Sequence, residues 1–131
     1  MKTKMVIIIR KDLNMRKGKM IAQAAHAVEM LLCNVLTYIN LEDKGLLEAS
    51  DKTQYYWSWK GSGRKKIVVS VDSEKELLEV HRKAVEGHVP ASLVTDAGIT
   101  EFHGTSTKTA VAIGPWDEDM IDKITGSLRL L

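Results

Sequence analysis

Residues 4–39 read KMVIIIRKDLNMRKGKMIAQAAHAVEMLLCNVLTYI, and this stretch decides the fold. Its opening apolar run, 5–9, is short and rich in β-branched residues, the pattern of a strand buried on both faces. A polar turn, 11–16, follows, and apolar residues then recur at Ile21, Ala24, Ala25, Val28, Leu32, Val35, Leu36 and Ile39, which is helical spacing. The junction carries Arg16, Lys17 and Lys19 at a helix start, the end where the macrodipole disfavours cations. A helix start also offers unpaired backbone N–H groups, so cations placed there suit a phosphate or an oxyanion. Lys19, Gln23 and His26 lie at i, i+4 and i+7 and form a polar stripe on an otherwise apolar helix. Both a solvated face and a functional stripe fit that pattern.

The remaining chain alternates strand and helix. A second helix is expected around 42–49, and an aromatic and basic segment, QYYWSWKGSGRKK at 54–66, follows. Its rings suit the edge of a core better than a base-stacking platform, because Trp and Tyr are amphipathic. A buried strand is expected at 67–71. Ser73-Glu74-Lys75-Glu76 has capping-box spacing and opens a helix to about Glu86, which Gly87 ends. Strands at 91–95 and 107–113 and a helix from Asp117 to Gly126 complete the chain, and the tail SLRLL is apolar enough to dock. The order predicts a single α/β domain over 1–131, with a four-stranded mixed sheet and helices on both faces.

Composition narrows the function classes. The chain has 131 residues, enough to bury a core without disulfides or a structural metal. Cys33 stands alone, which excludes a disulfide framework or a Cys-based zinc site and suits a reducing compartment. No membrane span or signal peptide is expected, so the cytoplasm is the expected location. Charge is uneven. Residues 1–20 hold seven Lys/Arg against one acid, 60–66 add four more with none, and from Asp72 onward eleven acids face six bases. If the two basic blocks meet, they form a footprint for a polyanion; if not, they are separate solvated edges.

Sites in parallel sheets gather at the carboxyl ends of strands, which here supplies the basic turn and Asp96. Asp96-Ala97-Gly98 leads into a loop with Thr100, Glu101, His103, Thr105, Ser106 and Thr107. Such an aspartate is commonly a turn-forming residue. Beside a cation it also meets the minimal requirement for ester hydrolysis: an acid to orient or deprotonate water and a charge to stabilise an oxyanion. The histidines are scattered without metal-ligand spacing, and no nucleophile elbow is present.

Three collinear blocks resemble the type 2 peptidyl-tRNA hydrolase family: 4–27, with the basic turn ending Lys17-Gly18-Lys19 and the helix carrying Gln23 and His26; SLVTDAGITEFHGTSTKTAVAIGP at 92–115; and IDKITGSLRLL at 121–131. The resemblance implies hydrolysis of the ester joining a peptide to the 3′ ribose of tRNA. It places catalysis on Lys19, Asp96 and Thr100, with Arg16, Lys17, Gln23, His26 and Thr107 on the substrate. It implies no metal or other cofactor, a mixed-sheet α/β fold and a homodimer, with the basic blocks holding the acceptor stem and 3′ end of peptidyl-tRNA. The chain departs from the family pattern at Ile99 and Glu101, which flank Thr100 where Arg and Gln are usual, and in a loop one residue longer through Ser106. Trading a cation for a carboxylate makes this loop less welcoming to phosphate. A non-catalytic tRNA-binding or protein-binding relative that keeps the fold is the alternative.

Overall fold

The computed structural model describes residues 1–99 and 102–131. Its elements run β1 (Thr3–Arg10), α1 (Lys17–Asp43), α2 (Asp51–Gly61), β2 (Lys66–Val71), α3 (Glu74–Glu86), β3 (Ala91–Asp96), β4 (Thr107–Asp117), α4 (Glu118–Thr125) and β5 (Arg129–Leu130). One mixed sheet has the order β3-β4-β1-β2-β5. Strands β1 and β2 are parallel, while β4 is antiparallel to both β1 and β3. Strands β1, β2 and β3 therefore point the same way, and their carboxyl ends share one end of the sheet.

The apolar run at the centre of β1 explains why the sheet has helices on both sides. Met5, Ile7 and Ile9 pack under α1 and α2, and Val6 and Ile8 pack under α3 and α4. A strand with no polar face needs cover on both sides. Helix α3 begins where its capping box predicts, with the Ser73 hydroxyl accepting from the Glu76 amide. It also ends as expected, at Glu86 with Gly87 as its C-cap, although without a left-handed glycine. Gly87 has φ −82°, and the left-handed position falls on His88 at φ 59°.

Three expectations need correction. The sheet has five strands, because Arg129–Leu130 of the docked tail pairs with Val69 and Ser70 at the β2 edge. No helix forms at 42–49. Helix α1 continues to Asp43, Gly45 turns the chain at φ 73°, and Ser50 caps α2, which instead carries the aromatics. Strand β4 does not end at Ile113 but runs through the cis Gly114–Pro115 bond to Asp117. Helix α1 passes by length and composition alone for a membrane-crossing helix. It packs on the sheet through Ala27, Leu31, Val35 and Ile39, as the core helix of this domain.

The aromatic segment divides as amphipathic rings should. Tyr56 and Trp59 are buried in the core, Tyr55 lies against Trp116, and Trp57 stays exposed beside Lys60. The two basic blocks meet only in part: Lys2 of the first lines a cavity with Lys65 of the second. Lys66 pairs with Met5 at the start of β1, whereas Lys11, Arg16 and Lys17 follow its end, six or more residues and roughly 20 Å away.

Candidate active site

The site forms where the carboxyl ends of β1 and β3, the start of β4 and the N-terminus of α1 converge. Asp96 ends β3 and is mostly buried, as is Lys19 in the first turn of α1. The Lys19 ammonium donates to Asp96 Oδ1 at 2.9 Å. The amide of Gln23, one turn further along α1, reaches the same oxygen at 3.4 Å. Asp96 Oδ2 accepts from the Gly98 backbone N–H at 2.8 Å. This closes an Asx turn, so one oxygen serves the turn and the other the ion pair. Gly98 has φ +79°, and a Cβ there would stand 2.2 Å from the Thr105 carbonyl oxygen, so no other residue fits.

Gln23 does not lie on a solvated stripe. It is 1 % exposed, and its Oε1 accepts from the Thr109 hydroxyl at 2.5 Å. That bond fixes the amide with its NH2 toward Asp96. Thr109, fully buried on β4, is a site residue that the sequence reading missed. In the β3–β4 register Val94 faces Ala110 and Thr95 faces Lys108, so Thr109 is an extra residue in a bulge, a device that re-aims a side chain.

The electrostatics follow from these contacts. The Lys19 hydrogen bond, above all, holds the Asp96 carboxyl below its ordinary value; partial burial opposes it, and the Gly98 N–H and Gln23 amide assist. Asp96 is thus firmly ionised near neutral pH. The Lys19 ammonium also lies over the Phe102 ring, 5.7 Å from its centre.

The other expected site residues are placed as follows. His26 is exposed and lines a cavity with Gln23 and Asp96. Thr107 pairs across from Asp96, with its hydroxyl donating to the Thr105 carbonyl. Arg16 and Lys17 are exposed, with no side-chain hydrogen bond or ion pair among the described residues. Arg16 is the N-cap of α1, which has no side-chain cap and no acid in its first turn, so the amides there remain open to an anion. Thr100 and Glu101 lie outside the described residues. Among the described residues no cluster of His, Cys, Asp and Glu has the grouping of a metal site.

The family model described as "Peptidyl-tRNA hydrolase PTH2" matches residues 3–131. A peptidyl-tRNA hydrolase of Methanocaldococcus jannaschii is 42% identical over 128 residues, covering 98% of this chain and 99% of the relative. One of Sulfurisphaera tokodaii is 40% identical over 131 residues, covering 100% of both. A third, of Methanococcus vannielii, is 43% identical over 125 residues, covering 95% of this chain and 96% of the relative. Among solved structures, a protein of unknown function from Agrobacterium shares the fold, with TM-score 0.55 at 17% identity over 100% of this chain and 98% of its own. Matched along its whole length by the family model and by relatives of the same size, the chain belongs to the peptidyl-tRNA hydrolase PTH2 family.

Proposed function

We propose that the chain hydrolyses the ester between a peptide's carboxyl end and the 3′ ribose of tRNA, releasing free tRNA for reuse in translation. The observation that carries this reading is the Lys19–Asp96 pair, held by Gln23 and Gly98 at the open N-terminus of α1. Water adds to the ester carbonyl, the charge collects on the carbonyl oxygen, and the carbon–oxygen bond to the ribose then breaks. One of the water's protons ends on the ribose 3′ oxygen, and the other is released to solvent as the peptide's new carboxyl group ionises. Lys19 stabilises the developing oxyanion or the leaving oxygen. Asp96, held well ionised, is a weak base and positions the water rather than taking its proton. Thr100, by its family position, orients one or the other.

Arg16 and Lys17, with the open amides of α1, hold phosphates of the 3′ end and acceptor stem, contacts that position a substrate without reading its sequence. Gln23, His26 and Thr107 border the reacting end. An exposed apolar row on α1, with Ile21 at 71% and Leu36 at 44% exposure, supports pairing of two copies. Translation places the protein in the cytoplasm.

The test is release of free tRNA from an N-blocked aminoacyl-tRNA, with and without chelator, beside Asp96→Ala. Release that survives chelator and disappears in the variant is expected. Salt-sensitive tRNA binding without release above the spontaneous rate would make the chain a binding relative and overturn the catalytic assignment.

A further inference from the structure

Strand β3 ends one edge of the sheet and, among the described residues, pairs with β4 alone. The Gly114 amide donates to the Pro90 carbonyl, which sets the phase of the β3–β4 ladder. Ser92 and Val94 therefore turn their backbone groups toward β4, and Ala91 and Leu93 turn theirs outward. No described group takes these outward amides and carbonyls. The edge sequence, ASLVTD, also lacks the lysines and prolines that usually close such an edge.

A groove follows this edge along α1. A cavity of about 490 Å³ lies between Gln23, Met30 and the segment 93–97, next to Asp96. Beyond it, a cavity of about 390 Å³ lies between Leu31, Tyr38 and the segment 88–91. The second has an apolar floor and three side chains, Asn34, Tyr38 and His88, that donate or accept no side-chain hydrogen bond among the described residues.

We infer that the peptidyl part of the substrate lies extended in this groove, paired through its backbone with the free edge of β3. The inference rests on the hydrolase reading above. The ester carbonyl must sit at Lys19 and Asp96, and the tRNA leaves toward the cations at the start of α1. The acyl chain starts from the same carbonyl and needs a second route of different character. The edge that terminates in Asp96 is continuous with the site and carries no positive charge along the strand, the groove's one lysine, Lys52, lying at its far end over the Tyr38 ring. Because the ester joins the peptide's carboxyl end, that end lies at Asp96 and the chain runs parallel to β3. Pairing through backbone groups suits a substrate whose side chains vary, since edge addition draws its affinity from the main chain.

The experiment uses the full chain and a series of N-acetylated peptidyl-tRNAs with one, three, five and seven residues. The value of kcat/KM is expected to climb to five or six residues, the length of β3, and then level off. A single backbone N-methyl group at alternate peptide positions lowers kcat/KM roughly 3- to 10-fold, and at the intervening positions leaves it unchanged, because only every second amide faces the edge. Asn34→Trp, which narrows the far cavity, lowers the ratio of long- to short-substrate kcat/KM toward one. Turnover that is independent of length and N-methylation overturns the groove assignment while leaving the hydrolase reading intact. Failure to release even the single-residue substrate overturns the hydrolase reading and the groove with it. A flat series together with hydrogen-exchange protection at Ala91 and Leu93 in the substrate-free protein assigns the edge to a second copy and likewise overturns the proposal.

Discussion

Thr109→Val tests the site through a residue that touches neither Lys19 nor Asp96. Valine matches threonine in shape, so the substitution removes one hydroxyl from a fully buried position and little else. Gln23 Oε1, in a side chain 1 % exposed, then has no donor. Leaving a buried acceptor unpaired costs about 1–3 kcal/mol. At ~2.1 cal/mol/K per residue, the unfolding entropy of this chain is about 0.28 kcal/mol/K, so Tm falls by roughly 4–11 °C. The second effect is on catalysis. Without the Thr109 hydroxyl the Gln23 amide is free to turn, and its 3.4 Å contact with Asp96 is lost. A weak hydrogen bond of about 0.5–1.5 kcal/mol corresponds to roughly a 2- to 13-fold fall in kcat. Thermal unfolding and steady-state release of tRNA from an N-blocked aminoacyl-tRNA measure the two effects separately. Thr109→Ser keeps the hydroxyl and should retain kcat, while a lost methyl costs about 1 kcal/mol of stability. Unchanged Tm and kcat in the valine variant, or a serine variant that loses kcat as far as valine does, would refute this role for the Thr109 hydroxyl.

Three further outcomes are expected. Arg16→Ala and Lys17→Ala should each raise KM and lower the steepness of log KM against log salt by about 0.7–0.9 per lost phosphate contact; an unchanged slope removes these residues from the tRNA interface. Gly98→Ala should cost about 1–3 kcal/mol and lower activity, since the new Cβ meets the Thr105 carbonyl and the left-handed turn is strained; wild-type turnover in this variant would show that the Asx turn is dispensable. Lys19→Met should alter the pH dependence of stability. The folded carboxyl of Asp96 lies below its unfolded value of about 3.9, so the pair stabilises the fold above that value and the stabilisation is lost as pH falls through the folded pKa. The stability difference between wild type and Lys19→Met, followed by denaturant unfolding, should be constant above about pH 5 and shrink toward zero in stronger acid, and a difference independent of pH would refute the pairing.

What was legible in the sequence was local. The run at 5–9, the capping box at Ser73 and the Asx residue at Asp96 each carry their cause within a few residues, and each forms as expected. What was not legible depends on contacts distant in the chain. Ile21 and Leu36 belong to the apolar helical spacing, yet both are exposed, and the buried row is Gln23, Ala27, Leu31, Val35 and Ile39. Two apolar rows flank one another on this helix, and only the position of the sheet decides between them. Gln23 can be buried because Thr109, 86 residues away, donates to it. Strand alternation alone would have set Thr109 beside Val111 on the α3 side. The bulge that turns it to α1 has no signature in a single sequence.

Asp96 reconciles two readings that the sequence presented as rivals. A turn-forming aspartate and a site carboxylate are alternatives only if one oxygen must do both tasks. Here Oδ2 closes the turn onto Gly98 and Oδ1 holds Lys19, so the turn fixes the direction of the carboxylate and the ion pair fixes its charge. This division bears on the departure at Ile99, where the family resemblance leads one to expect arginine. Ile99 is 87% exposed and follows the residue whose amide completes the turn, so its side chain is not needed to place Asp96. The exchange removes a cation from the outside of the loop and leaves the Lys19–Asp96 geometry as it is. Under the proposed function its effect falls on the grip on phosphate, which that proposal assigns to Arg16, Lys17 and the open start of α1.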